Sequence, residues 1–182
     1  MGNLLQKAAK TVMNSLRPED HHVIMCGLDA AGKTSVKYLL QTPNIVPETV
    51  PCMGQQYTEK MKYKTMTIHA WDVGGSERMR PFYRHYYVGA EALIFIVDST
   101  DVDRIKQASA ELHRLLGEPD LANAKVLIFA NKQDLPTALE TSQLVTRLEL
   151  GRIPQYWCII GCSTYQRVGV YEGLDWLNLI LT

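Results

Sequence analysis

Gly27-Leu28-Asp29-Ala30-Ala31-Gly32-Lys33-Thr34 fits the pattern G-x-x-x-x-G-K-[ST]. Its flanks match what that pattern requires. His22-Val23-Ile24-Met25-Cys26 reads as a short buried strand, and Thr34 to Gln41 as a helix with Val36, Leu39 and Leu40 on its apolar side. Gly27 and Gly32 permit a sharp backbone turn and close approach to phosphate oxygens. Successive N–H groups then form an anion nest that ends at a helix N-terminus. Lys33 adds a point charge for the β- and γ-phosphates, and the Thr34 hydroxyl is placed to ligate Mg²⁺. A glycine-bearing turn in an ordinary α/β domain would need only part of this set.

The second informative stretch is Asn131-Lys132-Gln133-Asp134, which follows the apolar run Lys125-Val126-Leu127-Ile128-Phe129-Ala130. An Asp carboxylate can accept both the N1–H and N2–H of guanine, whereas adenine would leave it unpaired. Such mismatches can cost orders of magnitude in specificity. Asn131 and Lys132 are expected to tie this loop to the phosphate loop and to cover the base. Between the two stretches stands Trp71-Asp72-Val73-Gly74-Gly75. Its D-x-x-G suits a switch in which Asp72 holds Mg²⁺ through water and the Gly75 N–H bonds a γ-phosphate. Alone it would be a tight turn after a strand; downstream of Lys33 the switch reading is preferred.

Composition sets the outer limits. The chain has 182 residues, 46% hydrophobic and 21% charged, which suits one globular domain with a real core. Net charge is zero, so no basic field argues for nucleic acid. The cysteines Cys26, Cys52, Cys158 and Cys162 form no CxxC pair, and no secretory signal is visible, so reduced thiols in a cytoplasmic protein are expected. No apolar run approaches the length of a transmembrane helix.

The remaining segments fall into place around these motifs. Leu4, Leu5, Ala8, Ala9, Val12, Met13 and Leu16 recur at helical spacing, with Lys7 and Lys10 off the stripe. Residues 1–17 are therefore read as an N-terminal amphipathic helix, and 18–182 as the nucleotide-binding domain. Gly2 stands where N-myristoylation needs it, although Gln6 replaces the usual Ser or Thr. One acyl chain binds membranes marginally, and an amphipathic helix can supply the second signal. His21 and His22 are expected to flank the first strand without chemical duty. Pro43 to Pro51 is a loop; Gln55 to Lys62 and Thr65 to Trp71 are strands, with a turn at Tyr63-Lys64. His69 is expected on the solvent side. Ser76 to Gly89 reads as a short helix followed by irregular chain, and its Arg and Tyr residues are of types enriched at binding hot spots. Ala92 to Val97 is a central parallel strand. Asp103 to Leu116 is a helix with His113 on its surface. Pro136 to Leu150 is a further helix, Tyr156 to Cys162 the last strand. Tyr171 to Leu181 is a closing helix expected to bury Leu174, Leu177, Leu179 and Ile180. The sum is an α/β three-layer fold around a mostly parallel six-stranded sheet with one antiparallel edge strand, its ligand at the carboxyl ends of the strands.

At this point the sequence resembles the small GTPases of the Arf and Arf-like family over nearly its whole length. The phosphate loop looks like the family's letter for letter. Trp71-Asp72-Val73-Gly74-Gly75, Arg80-Pro81, Arg84-His85-Tyr86, Asn131-Lys132-Gln133-Asp134 and Tyr171-Glu172-Gly173-Leu174-Asp175-Trp176-Leu177 are similar too. The resemblance implies a GDP/GTP switch with Mg²⁺ that acts in vesicle-mediated and intracellular protein transport. Exchange factors, GTPase-activating proteins and effectors would be its partners. It also implies reversible membrane association through Gly2 and the N-terminal helix, at the Golgi or another endomembrane. The implied nucleotide set is Gly27, Leu28, Asp29, Ala30, Ala31, Gly32, Lys33, Thr34, Ser35, Asp72, Gly75, Asn131, Lys132, Asp134, Ser163 and Thr164. A gap-free count against the family's C-A-T selects Ser163-Thr164-Tyr165, whereas pairing by Cys selects Cys162-Ser163-Thr164.

Several departures stand against these matches. The family's switch I Thr, a Mg²⁺ ligand, corresponds to Cys52 in Thr49-Val50-Pro51-Cys52, and a thiol is a poor ligand for a hard cation. Thr49 would need a different loop path to substitute. Ser76 takes the catalytic position where the family has the Gln that orients water, and it is too short to do so. Asp29, within the loop that matches the family, also puts a negative charge near the γ-phosphate position, where it should not help hydrolysis. Gln55 and Gln56 replace the family's Phe-Asn, altering the surface that effectors read. Two readings follow: a switch with weak intrinsic hydrolysis, or a non-switching GDP-bound scaffold. A P-loop kinase or ATPase is disfavoured by Asn131-Lys132-Gln133-Asp134.

Overall fold

The computed structural model describes residues 20–41, 59–70 and 85–182. The expected N-terminal helix, Gly2, Thr49, Cys52, Gln55, Gln56, Asp72, Gly75 and Ser76 lie outside the described residues. Numbered among those described, the elements are β1 (His21–Gly27), α1 (Lys33–Gln41), β2 (Glu59–Tyr63), β3 (Met66–Ala70) and β4 (Ala92–Asp98). They continue with α2 (Ile105–Leu116), β5 (Lys125–Asn131), α3 (Thr141–Arg147), β6 (Trp157–Gly161) and α4 (Val170–Leu181).

The strands form one six-stranded sheet in the order β2-β3-β1-β4-β5-β6. All neighbours run parallel except the β2–β3 edge hairpin, as expected from the sequence. The near-continuous apolar runs of β1, β4 and β5 serve both faces, because successive side chains point in opposite directions. Ile24, Cys26, Leu93, Phe95, Val97, Val126 and Ile128 pack under α2 and α3, against Ile105, Ala108, Leu112, Leu115 and Leu144. Val23, Met25, Ile94, Ile96, Leu127 and Phe129 face the other way, against Val36 and Leu39 of α1 and Val170, Leu174 and Leu177 of α4. Each fully buried Leu, Ile or Phe contributes about 1.5–3 kcal/mol of transfer free energy, and this two-sided burial holds the layers together.

The structure corrects some local expectations. The helix expected over Pro136 to Leu150 is confined to Thr141–Arg147, opened by a capping box between Glu140 and Gln143. Ahead of it, Leu139 donates its N–H to the Ser99 carbonyl at 2.8 Å and buries its side chain, which holds residues 135–139 in a turn beside the end of β4. Leu179 is 75% exposed rather than buried, because it lies off the Leu174–Leu177 stripe of α4. The β2–β3 turn falls at Lys64-Thr65, with Lys64 at φ 49°.

Four histidines also differ from expectation. His21 and His22 belong to β1. His21 is buried, with its Nδ1 2.9 Å from Glu91 Oε2. His69 is half-buried, meeting the His22 ring edge-on at 5.0 Å and the Tyr86 ring at 5.9 Å. His113 lies 2.9 Å through Nε2 from the Leu148 carbonyl, joining α2 to the chain after α3. Each partner is remote in sequence, so helical or strand periodicity alone could not reveal it.

The hairpin turn is fastened to α4. Lys64 Nζ lies 2.6 Å from Asp175 Oδ1, and Thr65 Oγ1 donates to Asn178 Oδ1 at 2.7 Å. Among the described residues no helix is long and apolar enough to cross a membrane.

Candidate functional site

The loops leaving β1, β4, β5 and β6 converge at the carboxyl end of the sheet, where open α/β sheets bind ligands. The loop from Gly27 to Gly32 can turn there only because two side chains are missing. A Cβ on Gly27 would stand 2.2 Å from the Ile96 carbonyl oxygen. One on Gly32, which adopts φ +111°, would stand 2.1 Å from Asn131 Nδ2. Ala30 also takes a left-handed conformation, at φ 60°. The first turn of α1 is sealed by Val36 N–H donating to the Gly32 carbonyl at 3.0 Å.

Lys33 crosses beneath this loop. Its Nζ donates to the Gly27 carbonyl at 2.8 Å and to the Leu28 carbonyl at 2.6 Å, and the residue is only 7% exposed. A buried ammonium held by two carbonyls, in a loop with no side chain at either glycine, supplies the positive charge that an anionic phosphate tail needs. Thr34 follows at the start of α1, half-buried, and Ser35 comes next.

The second half of the site is built on Asn131. Its Nδ2 donates to the Ala31 carbonyl at 2.8 Å, and its Oδ1 accepts the Thr164 N–H at 3.1 Å. One side chain therefore joins the phosphate loop, the end of β5 and the loop after β6. Lys132 does not share in that tie. It adopts φ 68° and its Nζ pairs with Asp98 Oδ2 at the end of β4. Burial raises the Asp98 pKa, but hydrogen bonds from Lys132 and Thr100 outweigh it and hold the carboxylate below its usual range.

Asp134 is positioned by Ser163, whose hydroxyl donates to Asp134 Oδ1 at 2.6 Å. The same Oγ accepts the Gln166 N–H at 3.0 Å, and Ser163 exchanges backbone hydrogen bonds with Val168, so the loop 163–168 is closed on itself. Both alignments of this loop include Ser163 and Thr164, and these two residues meet the N-K-x-D loop. Cys162 is buried beside them, its thiol 3.7 Å from Asn131 Oδ1 and pushed up to about 12 by burial, and its carbonyl accepts the Gln133 N–H at 3.0 Å. Tyr165 points outward, 66% exposed.

One participant belongs to no sequence motif. Arg104, in the 3₁₀ turn Val102–Arg104 before α2, donates through Nη1 to Asp29 Oδ1 at 2.8 Å. No local pattern marks it, since it stands 75 residues from Asp29. The charged pair at Asp101 and Arg104 is the only sequence signal that could have pointed there.

Phosphate loop, N-K-x-D loop and Ser163-Thr164 thus share one end of one sheet. A family model described as "ADP-ribosylation factor family" matches residues 8–180. The match runs through every strand and every site loop just described, and the chain belongs to the ADP-ribosylation factor family of small GTP-binding proteins.

Proposed function

We propose that this protein is a guanine-nucleotide switch whose intrinsic GTP hydrolysis is weak. The observation that supports it most is the Asn131 bridge, which links the phosphate loop to the loop that presents Asp134. Base and phosphate would then be read by one connected unit. In this reading Asp134 accepts both N–H groups of guanine, and Ser163 keeps its carboxylate in place. The Thr164 loop and Lys132 border the base. The amides of Leu28 to Gly32, with Lys33, Thr34 and Ser35, surround the phosphates. Thr34 would hold Mg²⁺, with Asp72 reaching it through water and Gly75 contacting the γ-phosphate. When held there, Mg²⁺ would supply positive charge against the phosphates.

Hydrolysis is expected to be slow because Ser76 cannot orient water as Gln does and Cys52 offers no hard oxygen. An arginine supplied by a GTPase-activating protein would recover part of the rate. By family membership, exchange factors and effectors are further partners, and membrane traffic is the setting. Myristoylated Gly2 and the helix of residues 1–17 would give reversible attachment to an endomembrane, the Golgi among them.

The test is nucleotide binding by protein stripped of small molecules. GDP should bind far more tightly than ADP, and equal affinity would overturn the reading. Single-turnover hydrolysis and relative GDP and GTP affinities at fixed Mg²⁺ then separate a slow switch from a GDP-bound scaffold. Tight binding of GTP with a conformational change supports the switch; preference for GDP regardless of Mg²⁺ supports the scaffold.

A further inference from the structure

Asp29 is the single acidic residue between Gly27 and Thr34, and its side chain is 69% exposed at the crest of the loop. A carboxylate at that place repels the end of a phosphate chain. Over a few ångströms at the effective dielectric of a protein surface, an unopposed charge disfavours a triphosphate over a diphosphate by about tenfold or more. A loop meant to accept both ligands therefore needs a counter-charge.

Arg104 supplies one, and its own neighbours aim it. Its Nε donates to Asp101 Oδ2 at 2.6 Å, while Asp101 Oδ1 accepts the Arg104 backbone N–H at 3.3 Å. With the guanidinium fixed at that edge, Nη1 is left to reach Asp29 Oδ1 at 2.8 Å. The pair lines a cleft that it shares with Leu28, Ile96, Asp98, Asp101, Ile105 and Ala108. Arginine suits the task because its planar fork serves two carboxylates at once and stays charged at any physiological pH.

We propose that Arg104 is a specificity-determining positioning residue: by fixing and neutralising the Asp29 carboxylate, it allows the phosphate loop to accept a nucleoside triphosphate as well as a diphosphate. The inference rests on the reading of this loop as a guanine-nucleotide site.

The experiment uses the full chain, freed of nucleotide, with Arg104→Gln, Asp29→Asn and the double variant. GDP and a non-hydrolysable GTP analogue are titrated at fixed Mg²⁺. Arg104→Gln should lower affinity for the analogue relative to GDP by about tenfold. Asp29→Asn alone should raise that ratio, and adding it to Arg104→Gln should restore the ratio to within about twofold of the unaltered chain. Equal weakening of both nucleotides, or a loss that Asp29→Asn does not repair, overturns the proposal and leaves Arg104 a helix-start residue only. Should Arg104→Gln fail to fold, Asp29→Asn decides alone, since an unchanged or lowered ratio is the overturning result. Failure of the unaltered chain to bind GDP would instead defeat the underlying reading of the site.

Discussion

The Asn131 side-chain amide and the Ala31 carbonyl stand 2.8 Å apart, a hydrogen bond that spans 100 residues of sequence. It is buried, and the opposite end of the same amide accepts the Thr164 N–H. Replacing Asn131 with Ala would strand a carbonyl and an N–H away from water, at about 1–3 kcal/mol each. The expected outcome is a GDP dissociation constant raised about tenfold or more, together with a lower unfolding midpoint. Fluorescent-nucleotide titration and urea denaturation measure the two.

Gly32 faces that same amide. A methyl there would lie 2.1 Å from Asn131 Nδ2 on a backbone at φ +111°, so Gly32→Ala combines a clash with a strained conformation. The strain alone costs about 1–3 kcal/mol. Urea unfolding should show a loss of at least about 2 kcal/mol, and GDP binding should disappear from the measurable range. A variant that keeps normal affinity would show that the two loops part easily.

Ser163 acts through Asp134. Removing its hydroxyl in Ser163→Ala leaves Asp134 Oδ1 without its 2.6 Å donor and Gln166 N–H without its acceptor. The carboxylate then loses its fixed orientation rather than its charge. Discrimination of GDP from ADP should fall by about tenfold, the equivalent of one charged hydrogen bond, with little change in Mg²⁺ requirement. Competition titrations with both diphosphates read this ratio directly.

His69 makes stability depend on pH. Burial, followed by the nearby His22, lowers its pKa in the folded protein. A group with a depressed folded pKa contributes stability above its unfolded pKa, about 6.5 for histidine, and loses it as pH falls toward the folded value. The urea midpoint should therefore drop on going from about pH 7.5 to about pH 5.5, and His69→Gln should reduce the size of that drop. Lys60 and Asp20 also face His69, with opposite signs, so the experiment is best run at constant ionic strength.

The fold was readable in advance because its signals are local. Continuous apolar runs at Ala92 to Val97 and Lys125 to Ala130 announce strands covered on both faces. The phosphate loop and N-K-x-D each lie within a few residues of a strand end, so their chemistry is written contiguously. Helix ends were less legible. The stretch before Thr141 is held as a turn by Leu139 and Ser99, a contact between distant segments that outweighs helix propensity.

The sequence by itself determined the α/β class, the antiparallel edge and the two loops that would read phosphate and base, because periodicity and backbone-permissive glycines act over a few residues. Tertiary structure alone decided that Ser163 meets Asp134, that Lys132 pairs with Asp98, and that Arg104 reaches Asp29. Those pairings depend on which strand ends lie side by side in the sheet. That order is set by packing both faces at once, and no window of neighbouring residues contains it.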